Sequence, residues 1–368
     1  MSRSSSSVCF SLLVASYNRP DLILETVRSL LGNSAPDVEV TVSDDASPKR
    51  AEVRGALAHL IRRGGLRFIQ QEENIGWSKN RNALVDAARG EYVILLGDDD
   101  RLKPGAIDRL RRWTAKYPDV SIFGVGYDVI DECGKRVFTY CTPKSVLYEI
   151  SCNDNWKEIF AYDAVPMWSH HPFTVCSKRE VAATIRYNPA VDIADDALFL
   201  YDALEQGHKL VTIPEVLFEW RMAFDSGGDY ATLSGSPERC HRARGLILAE
   251  LLSRPAVRDE VKSLFGSSKF LSRFCMFREA DAEDLLKLLE TKSRDGRALG
   301  DFIYARAMSA RLSIFRAVER HLRAIKVMGP GHIRNFLRFR RDKKRLAQTV
   351  RGKPTGRHPQ GHSGQPHG

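Results

Sequence analysis

The sequence of 368 residues lacks a long apolar run, and its seven cysteines are scattered along the chain. A helix that crosses a bilayer needs about 20 consecutive apolar residues. The apolar run nearest the N-terminus covers only 8–15 and does not have the layout of a signal peptide. The cysteines are odd in number and include no Cys-x-x-Cys pair, which argues against a disulfide framework and a cysteine zinc site. We therefore expect a cytoplasmic protein.

Most of the sequence also lacks the positive charge that its net charge of +10 suggests. From residue 306 onward, 16 Lys and Arg stand against two acidic residues, so the preceding 305 residues carry a net charge of about −4. A protein that grips nucleic acid through its folded body needs a basic face there. Nucleic acid is therefore not expected as a partner of the body.

Strand-like and helical patterns alternate over the first hundred residues. Predicted strands cover 8–15, 38–43, 66–70 and 92–96, and predicted helices cover 21–31, 51–61 and 78–88. Such alternation is typical of βαβ units and of a parallel sheet covered on both faces. Ligands bind beyond the carboxyl ends of strands in such sheets. Polar clusters follow the first, second and fourth strands, at 16–19, 44–47 and 98–100.

The remainder of the chain has a mixed pattern and then a helical one. Predicted helices cover 107–116 and 195–205, and predicted strands cover 121–130, 136–140, 175–177 and 210–213. The residues from 237 to 328 are helical in pattern, whereas 352–368 are rich in Gly, Pro, His, Gln and Ser and cannot bury a core. We predict an α/β domain over 1–235, a helical C-terminal region over 236–330 and a basic, disordered tail over 331–368.

Three adjacent carboxylates, Asp98, Asp99 and Asp100, follow the apolar run at 92–96. Neighbouring anions repel one another unless a cation or hydrogen-bond donors compensate them. Divalent cations take carboxylate oxygens and bridge to phosphates, so the triplet indicates a Mn²⁺ or Mg²⁺ site in an enzyme that acts on a phosphorylated or nucleotide-linked substrate. A solvated acidic turn is the alternative, because Asp is common in turns.

The order of the motifs resembles the family-2 nucleotide-sugar glycosyltransferases of the GT-A fold. In chain order the matching pieces are Ser16-Tyr17-Asn18-Arg19, Ser43-Asp44-Asp45-Ala46-Ser47, Asn74-Ile75-Gly76, Arg81-Asn82, Gly90-Glu91-Tyr92 with the Asp triplet, and Leu102-Lys103-Pro104-Gly105. The resemblance is clear to about residue 110, fair to about 222 and absent beyond.

The resemblance implies a Rossmann-like, mixed and mainly parallel sheet flanked by helices. Its nucleotide-binding half would cover about 8–110 and its acceptor half about 111–235. The implied activity is inverting transfer of a sugar from a nucleoside-diphosphate sugar to a hydroxyl group of a glycan or lipid-linked glycan.

The resemblance also implies a donor site. Tyr17 and Asp45 would hold the base and ribose, with Asp45 accepting from a base N–H, and Arg81 would contact the diphosphate. Arg19 and Asn74 lie in the same motifs and are predicted to bind the donor nucleotide as well.

The Asp triplet departs from the common family pattern. In an alignment on Leu102 and Pro104, the usual first Asp of the family falls on Gly97. We therefore assign the metal mainly to Asp99, and we assign Asp98 to the ribose or to a metal-bound water. Asp100 is predicted either to share these tasks or to cap the helix at 107–116.

A second pair of carboxylates, Asp195 and Asp196, stands at the start of the predicted helix 195–205. Inverting transfer requires a general base that takes the proton of the attacking hydroxyl group. The position of the pair in the family implies that Asp196 is this base, with Asp195 as its rival. Helix capping is the alternative, because Asp at a helix start accepts from free backbone N–H groups.

The acceptor side and the rest of the metal site are less clearly marked. Many family members carry a His shortly after an Arg here, but this sequence has Ala223 at the His position, two residues after Arg221. Arg221 is a candidate for the diphosphate or the acceptor. Trp168, His170 and His171 are candidates for an acceptor pocket, with ordinary packing of these side chains as the alternative.

Basic and apolar residues alternate at helical spacing near the C-terminus. For 333–345 we predict contact with an anionic membrane surface, which suits a lipid-linked acceptor and a peripheral position on the inner face of the cell membrane. For 308–328 we favour a helix that packs on the catalytic domain. Binding of nucleic acid is a third possibility, because a flexible basic tail binds any polyanion.

Two other functions are compatible with parts of the pattern. A nucleotidyltransferase also uses carboxylates and a metal, but it would be expected to carry a Gly-rich, Lys-containing loop after the first strand, where this sequence has Ser16-Tyr17-Asn18-Arg19-Pro20. A non-catalytic protein that binds polyanions or membranes on a GT-A-like fold is the other alternative.

Overall fold

The computed structural model describes residues 8–141, 146–148 and 175–221. The predicted acceptor residues Trp168, His170 and His171 lie outside the described residues, as do the helical region 236–330 and the tail 331–368. The predicted division of the chain into three regions therefore stays a prediction.

The described ranges contain ten strands, six α-helices and one 3₁₀-helix. The first part consists of β1 (Phe10–Ser16), α1 (Pro20–Leu31), β2 (Val38–Asp44), α2 (Arg50–Arg62), β3 (Arg67–Gln70), α3 (Trp77–Ala87), β4 (Tyr92–Gly97) and β5 (Arg101–Leu102). The second part consists of α4 (Ala106–Lys116), β6 (Ile122–Ile130), β7 (Arg136–Tyr140), β8 (Val146–Tyr148), β9 (Val175–Lys178), α5 (Arg179–Ile185), the 3₁₀-helix Pro189–Ala194, α6 (Asp195–Glu205) and β10 (Leu210–Arg221).

These strands form one mixed sheet, which confirms the predicted fold class. Eight of them follow the order β3-β2-β1-β4-β9-β6-β10-β5, with β7 beside β6 and β8 beside β10. The strands β3, β2, β1 and β4 are parallel, whereas β9 runs antiparallel between β4 and β6. Since β1 lies between β2 and β4, the carboxyl ends of these three strands are adjacent.

The central strand β1 shows why the sheet is covered on both faces. Every residue of β1 is buried, with Phe10, Leu12 and Val14 in one core cluster and Leu13 and Ala15 in the other. Alternate residues of a strand point to opposite faces. The first cluster includes residues of α1, α2 and α4, and the second includes residues of α3, α5 and α6. Each buried aliphatic side chain contributes about 1.5–3 kcal/mol, so both helical layers stabilise this strand.

Gly90 explains how the turn before β4 reaches β1. A Cβ atom at residue 90 would lie 2.7 Å from the backbone nitrogen of Ser11 and 2.8 Å from the carbonyl carbon of Phe10. The Gly90 N–H donates a hydrogen bond of 2.8 Å to Ser11 Oγ. The Gly in the Gly90-Glu91-Tyr92 motif is therefore required by close approach of two backbones.

The structure differs from the predicted elements mainly in the second part. The strand predicted at 210–213 continues to Arg221, and β5, β8 and α5 were not predicted. Pro214 has no N–H to donate, which is why the sequence pattern ends there. The strand accommodates it through shifts in register against β6 between Thr212 and Val216 and between Val216 and Phe218. None of the described helices is both long enough and apolar enough to cross a membrane.

Candidate donor and catalytic site

The first motif and the Asp triplet meet at the carboxyl edge of β1 and β4. Ser16 Oγ donates a hydrogen bond of 3.0 Å to Asp98 Oδ2, and the Tyr17 N–H donates one of 2.9 Å to the same oxygen. Asp98 is buried, and this burial raises the pKa of its carboxyl group to about 7, while the positive charge of Arg19 acts in the opposite direction. The side chain of Asp98 therefore joins the two loops.

The loops after β1 and β2 are held together in an unusual backbone conformation. Asn18 and Ala46 have φ angles of 60° and 52°, and such left-handed conformations are costly for a residue other than Gly. The Asn18 N–H donates a hydrogen bond of 2.7 Å to Ser47 Oγ, and the Ser47 hydroxyl donates to Asp44. These contacts compensate the backbone strain and fix the loops that carry Tyr17 and Asp45.

Asp45 fixes the start of α3. Its two carboxylate oxygens accept hydrogen bonds of 2.8 Å from the Ile75 N–H and 3.0 Å from the Gly76 N–H. Burial raises the pKa of Asp45, and the two backbone donors oppose this shift. The predicted donor residue Asn74 accepts from the Gly76 N–H at 3.1 Å. The Tyr17 residue is 47% exposed, so its ring is accessible at this edge.

Asp99 is half-buried and is paired with a cation from the first motif. Arg19 forms an ion pair with Asp99, and its Nη1 atom lies 3.8 Å from Asp98 Oδ1. Arg19 therefore lies beside two members of the predicted metal site. Its predicted contact with the donor nucleotide stays a prediction.

Asp100 has a structural position that corrects one predicted role. It is buried, and its carboxylate accepts hydrogen bonds from the Gly97 N–H at 3.3 Å and the Arg221 N–H at 3.1 Å. Burial raises its pKa well above the usual value. The helix α4 begins after Gly105, and the side chain that accepts from the N–H of its first residue, Ala106, belongs to Asn33. Asp100 therefore does not cap this helix, because its oxygens bind backbone donors on β4 and β10.

The residues at this edge suit a divalent cation that takes few ligands from the protein. Within 8–141, 146–148 and 175–221, no three His, Cys, Asp or Glu side chains converge into a metal-binding group. The Arg19 guanidinium beside Asp98 and Asp99 shows that a cation fits between these carboxylates. Mg²⁺ commonly binds through one or two carboxylates together with substrate phosphates and water. The donor set thus fits a cation held mainly by Asp99.

The second pair of carboxylates begins α6, and one member is held by α3. Asp195 and Asp196 are both buried. Asp195 Oδ1 lies 3.0 Å from Arg81 Nη1, and both of these side chains are at most 1% exposed. In this structure the Arg81 guanidinium thus pairs with a carboxylate, and its predicted contact with a diphosphate stays a prediction.

Arg221 lies behind the Asp triplet at the end of β10. Its guanidinium donates hydrogen bonds of 2.9 Å to the Asp99 carbonyl oxygen and 2.8 Å to Glu25 Oε2. It also donates to the carbonyl oxygens of Asp131 at 3.1 Å and Glu132 at 2.9 Å. These four bonds give the buried side chain a role in holding the triplet. Its predicted role toward the diphosphate or the acceptor stays a prediction.

Residues 11–171 match glycosyl transferase family 2. This chain carries a glycosyl transferase family 2 domain. The succinoglycan biosynthesis protein ExoO of Rhizobium meliloti is 38% identical over 102 residues, which cover 28% of this chain and 28% of that protein. The chain thus matches little more than a quarter of the length of this relative. The family match confirms the resemblance noted in the motifs and favours a glycosyltransferase over a nucleotidyltransferase.

Two solved structures with bound nucleotide sugars share the fold of this domain. S. aureus TarS 1–349 in complex with UDP-GlcNAc is 20% identical, with a TM-score of 0.54 over 93% of this chain and 92% of that chain. The mannosyltransferase PcManGT from Pyrobaculum calidifontis in complex with GDP-Man and Mn²⁺ is 17% identical, with a TM-score of 0.50 over 86% of this chain and 84% of that chain. At such identities the likeness concerns the fold.

Sequence reasoning missed the polar face of α1, which supports the Asp triplet in this glycosyl transferase family 2 domain. Thr26 Oγ1 donates a hydrogen bond of 2.9 Å to the Asp98 carbonyl oxygen. Ser29 Oγ accepts from the Leu102 N–H at 3.1 Å, and Asn33 Oδ1 accepts from the Ala106 N–H at 2.9 Å. Thr26 and Ser29 lie three positions apart on one face of α1, which is the signal that was available in the sequence. Asn33 lies two residues beyond the end of the helix.

Proposed function

We propose that this protein transfers a sugar from a nucleoside-diphosphate sugar to a hydroxyl group of a glycan or lipid-linked glycan, with inversion at the anomeric carbon. One observation carries the proposal: the loops of Tyr17, Asp45 and Asp99 share the carboxyl edge of parallel strands, and α3 connects this edge to the carboxylates of α6. Such a transfer requires a site for the nucleotide and a general base that takes the proton of the acceptor hydroxyl group.

The donor site is proposed to use the groups at the strand ends. The exposed ring of Tyr17 offers a stacking surface for the base. Asp45 retains acceptor capacity for a base N–H, because each of its oxygens accepts one backbone hydrogen bond and has a second lone pair. The complexes of TarS with UDP-GlcNAc and of PcManGT with GDP-Man support a nucleotide-sugar donor without deciding its base.

The proposed cofactor is Mn²⁺ or Mg²⁺, held mainly by Asp99. When bound, a divalent cation supplies positive charge to the diphosphate oxygens as the leaving group departs. The hard oxygen donors near Arg19 and the Mn²⁺ in PcManGT support this assignment. Thermal shifts measured with Mn²⁺ and with Mg²⁺ distinguish the two ions.

Asp196 is the proposed general base. It would accept the proton of the acceptor hydroxyl group while that oxygen forms a bond to the anomeric carbon. The bond from this carbon to the diphosphate oxygen breaks on the opposite face, and its electron pair leaves with the diphosphate. Asp195 is the weaker candidate, since its carboxylate is fully buried and paired with Arg81.

A thermal-shift panel tests the donor and metal assignments together. UDP, GDP, dTDP and CDP are each added with and without Mn²⁺ or Mg²⁺, since a ligand that binds only the folded state raises its melting temperature. We expect one nucleotide to give a shift that needs the metal and that disappears in Asp99→Asn. Asp108→Asn is the matched control, because Asp108 is exposed on α4.

The outcome of this panel separates the proposed enzyme from a binding protein. A metal-dependent shift is followed by measuring nucleotide release from the matching nucleotide sugar, first in water and then with glycan acceptors. No shift with any nucleotide, in a protein shown to be folded, would contradict the proposal and favour a non-catalytic protein that binds polyanions or membranes.

The acceptor and the membrane contact form the remaining part of the proposal. ExoO carries succinoglycan biosynthesis in its name, which supports a polysaccharide or its lipid-linked precursor as the acceptor. The segment 333–345 contains seven Lys and Arg and one acidic residue. Such a segment would hold the enzyme at an anionic membrane surface, where a lipid-linked acceptor is found.

A further inference from the structure

We infer that Arg81 is a positioning residue for the proposed general base. This inference rests on the proposed function, in which Asp196 takes the proton of the acceptor. It differs from the diphosphate contact that the family resemblance implies for Arg81. Two contacts from α3 hold the start of α6.

The first contact is a buried ion pair. Arg81 Nη1 lies 3.0 Å from Asp195 Oδ1, and the two side chains are 1% and 0% exposed. The Arg81 guanidinium also lies over two aromatic rings, 3.8 Å from the centroid of Tyr187 and 5.4 Å from that of Trp77. The guanidinium is therefore fixed on several sides, and it fixes in turn the residue directly before Asp196.

The second contact comes from the next residue of α3. Asn82 donates a hydrogen bond of 2.8 Å to the Tyr187 carbonyl oxygen and accepts one of 2.9 Å from the Tyr187 N–H. The ring of Tyr187 is stacked on Phe199 of α6, with centroids 4.8 Å apart and an interplanar angle of 16°. Consecutive residues of α3 therefore hold α6 at its start and again about one turn later.

The same helix is attached to the donor site at its other end. Asp45 accepts hydrogen bonds from the Ile75 and Gly76 N–H groups immediately before α3, and Arg81 follows about one turn into the helix. The helix α3 thus connects Asp45, which is predicted to bind the nucleotide base, to the start of α6, which carries the proposed general base Asp196. A displacement of about 1 Å at a reacting group can lower turnover by about 100-fold, so the position of this helix matters for the rate.

Stability alone does not account for a buried ion pair. Replacing both partners with apolar residues of similar size is often neutral for folding, whereas removing one partner leaves a buried charge and is strongly destabilising. This asymmetry provides the test. The double variant Arg81→Met with Asp195→Leu removes the pair without leaving a charge, and Arg81→Lys keeps the charge but not the forked geometry.

The experiment compares these variants with the wild-type protein in three measurements. These are the melting temperature, the metal-dependent shift caused by UDP, and the kcat and KM for release of UDP from UDP-GlcNAc. If GDP gives the shift instead, GDP and GDP-Man replace UDP and UDP-GlcNAc. We expect the double variant to be folded, with its nucleotide affinity and KM within about threefold of the wild type and its kcat lowered about 10-fold to 100-fold. Arg81→Lys leaves Asp195 in place and is expected to have a kcat between those of the double variant and the wild type, which loss of a catalytic Asp195 would not explain. Arg89→Lys is the matched control, because Arg89 is 68% exposed in its ion pair with Glu39.

Two results would overturn the inference. A double variant with the wild-type kcat would show that the pair only stabilises the fold. A loss of nucleotide affinity in parallel with kcat would show that Arg81 contacts the donor diphosphate instead. If the double variant does not fold, Arg81→Lys decides between the same outcomes. A wild-type protein that binds no nucleotide, or that releases none from any donor, would instead contradict the proposed function itself.

Discussion

At the scale of single residues, Arg19 occupies the place that a divalent cation needs beside Asp99. Its guanidinium pairs with Asp99 and lies 3.8 Å from Asp98 Oδ1, so a metal ion that arrives without nucleotide must compete with a permanent cation. We expect Arg19→Gln to strengthen binding of Mn²⁺ alone by about 3-fold to 10-fold, since a charge at about 4 Å in a partly exposed site is worth on the order of 1 kcal/mol. Electron paramagnetic resonance of free Mn²⁺ measures this affinity.

Arg111→Gln is the control for that measurement, because Arg111 pairs with Asp37 away from the triplet. Its Mn²⁺ affinity is expected to equal that of the wild type. Weaker Mn²⁺ binding in Arg19→Gln would show that Arg19 orients Asp99 for the metal, and the idea of competition would be abandoned.

The raised pKa of Asp98 predicts that the free energy of unfolding depends on pH. Its pKa is about 7 in the folded protein and about 3.9 in an unfolded chain. Because the folded state holds this proton more tightly, ionisation of Asp98 lowers the free energy of unfolding as the pH rises from about 4 to about 7. Asn does not titrate, and its side-chain oxygen can still accept from Ser16 and Tyr17. The stability of Asp98→Asn relative to the wild type is therefore expected to increase between about pH 4.5 and about pH 8.

Urea unfolding in the presence of a chelator measures both proteins at the two pH values. Asp108→Asn serves as the control, since Asp108 is exposed, and its stability relative to the wild type should change little with pH. A constant difference between Asp98→Asn and the wild type would mean that Asp98 is already ionised at the lower pH.

The sequence predicted which residues gather at this edge but not what each one binds. Asp98, Asp99 and Asp100 are adjacent in the chain, so the sequence predicts that they lie at one donor and metal site, with Asp99 as the main metal ligand. In the structure Asp98 accepts from the loop after β1, Asp99 pairs with Arg19, and Asp100 accepts from a residue 121 positions away in β10. These partners are set by sheet order, which one sequence does not contain.

At the scale of elements, the polar face of α1 supports the loop that carries the triplet. Thr26→Val removes the hydrogen bond to the buried Asp98 carbonyl oxygen without changing the shape of the side chain. We expect a loss of about 1–3 kcal/mol in the free energy of unfolding and a smaller metal-dependent shift with nucleotide. Urea unfolding and the thermal-shift panel measure the two effects.

The matched control for Thr26→Val is Thr114→Val, since Thr114 is buried on α4 and donates only within that helix, to the Arg111 carbonyl oxygen at 3.1 Å. It is expected to lower stability but to leave the nucleotide response unchanged. An equal nucleotide response in Thr26→Val and the wild type would mean that the triplet keeps its geometry without α1.

The helices and strands of the first half could be predicted because each repeats a local pattern. The apolar positions of α1 at 22, 23, 27 and 30 follow helical spacing, and β1 is a short apolar run. The continuation of β10 beyond Pro214 could not be predicted, since it depends on pairing with β6 and β5. The same is true of Thr26, Ser29 and Asn33, whose partners lie 72 and 73 positions away.

At the scale of the whole molecule, positive charge is segregated from the catalytic body. The first 305 residues carry a net charge of about −4, whereas the rest carry 16 Lys and Arg and two acidic residues. An anionic membrane repels the first part and attracts the second. Membrane binding through 333–345 would therefore be expected to weaken as the salt concentration rises.

A charge-neutralised variant of the basic segment tests this membrane contact. Replacing Arg340, Arg341, Lys343 and Lys344 with Gln removes four positive charges, each worth about 1 kcal/mol near an anionic surface. We expect at least a tenfold loss of binding to vesicles that contain phosphatidylglycerol, measured by co-sedimentation, with unchanged nucleotide affinity. The matched control replaces four exposed basic residues of the body, Arg50, Arg54, Arg62 and Arg63, with Gln. If both variants lose binding equally, attraction is not specific to the segment; if neither does, the segment does not hold the enzyme at the membrane.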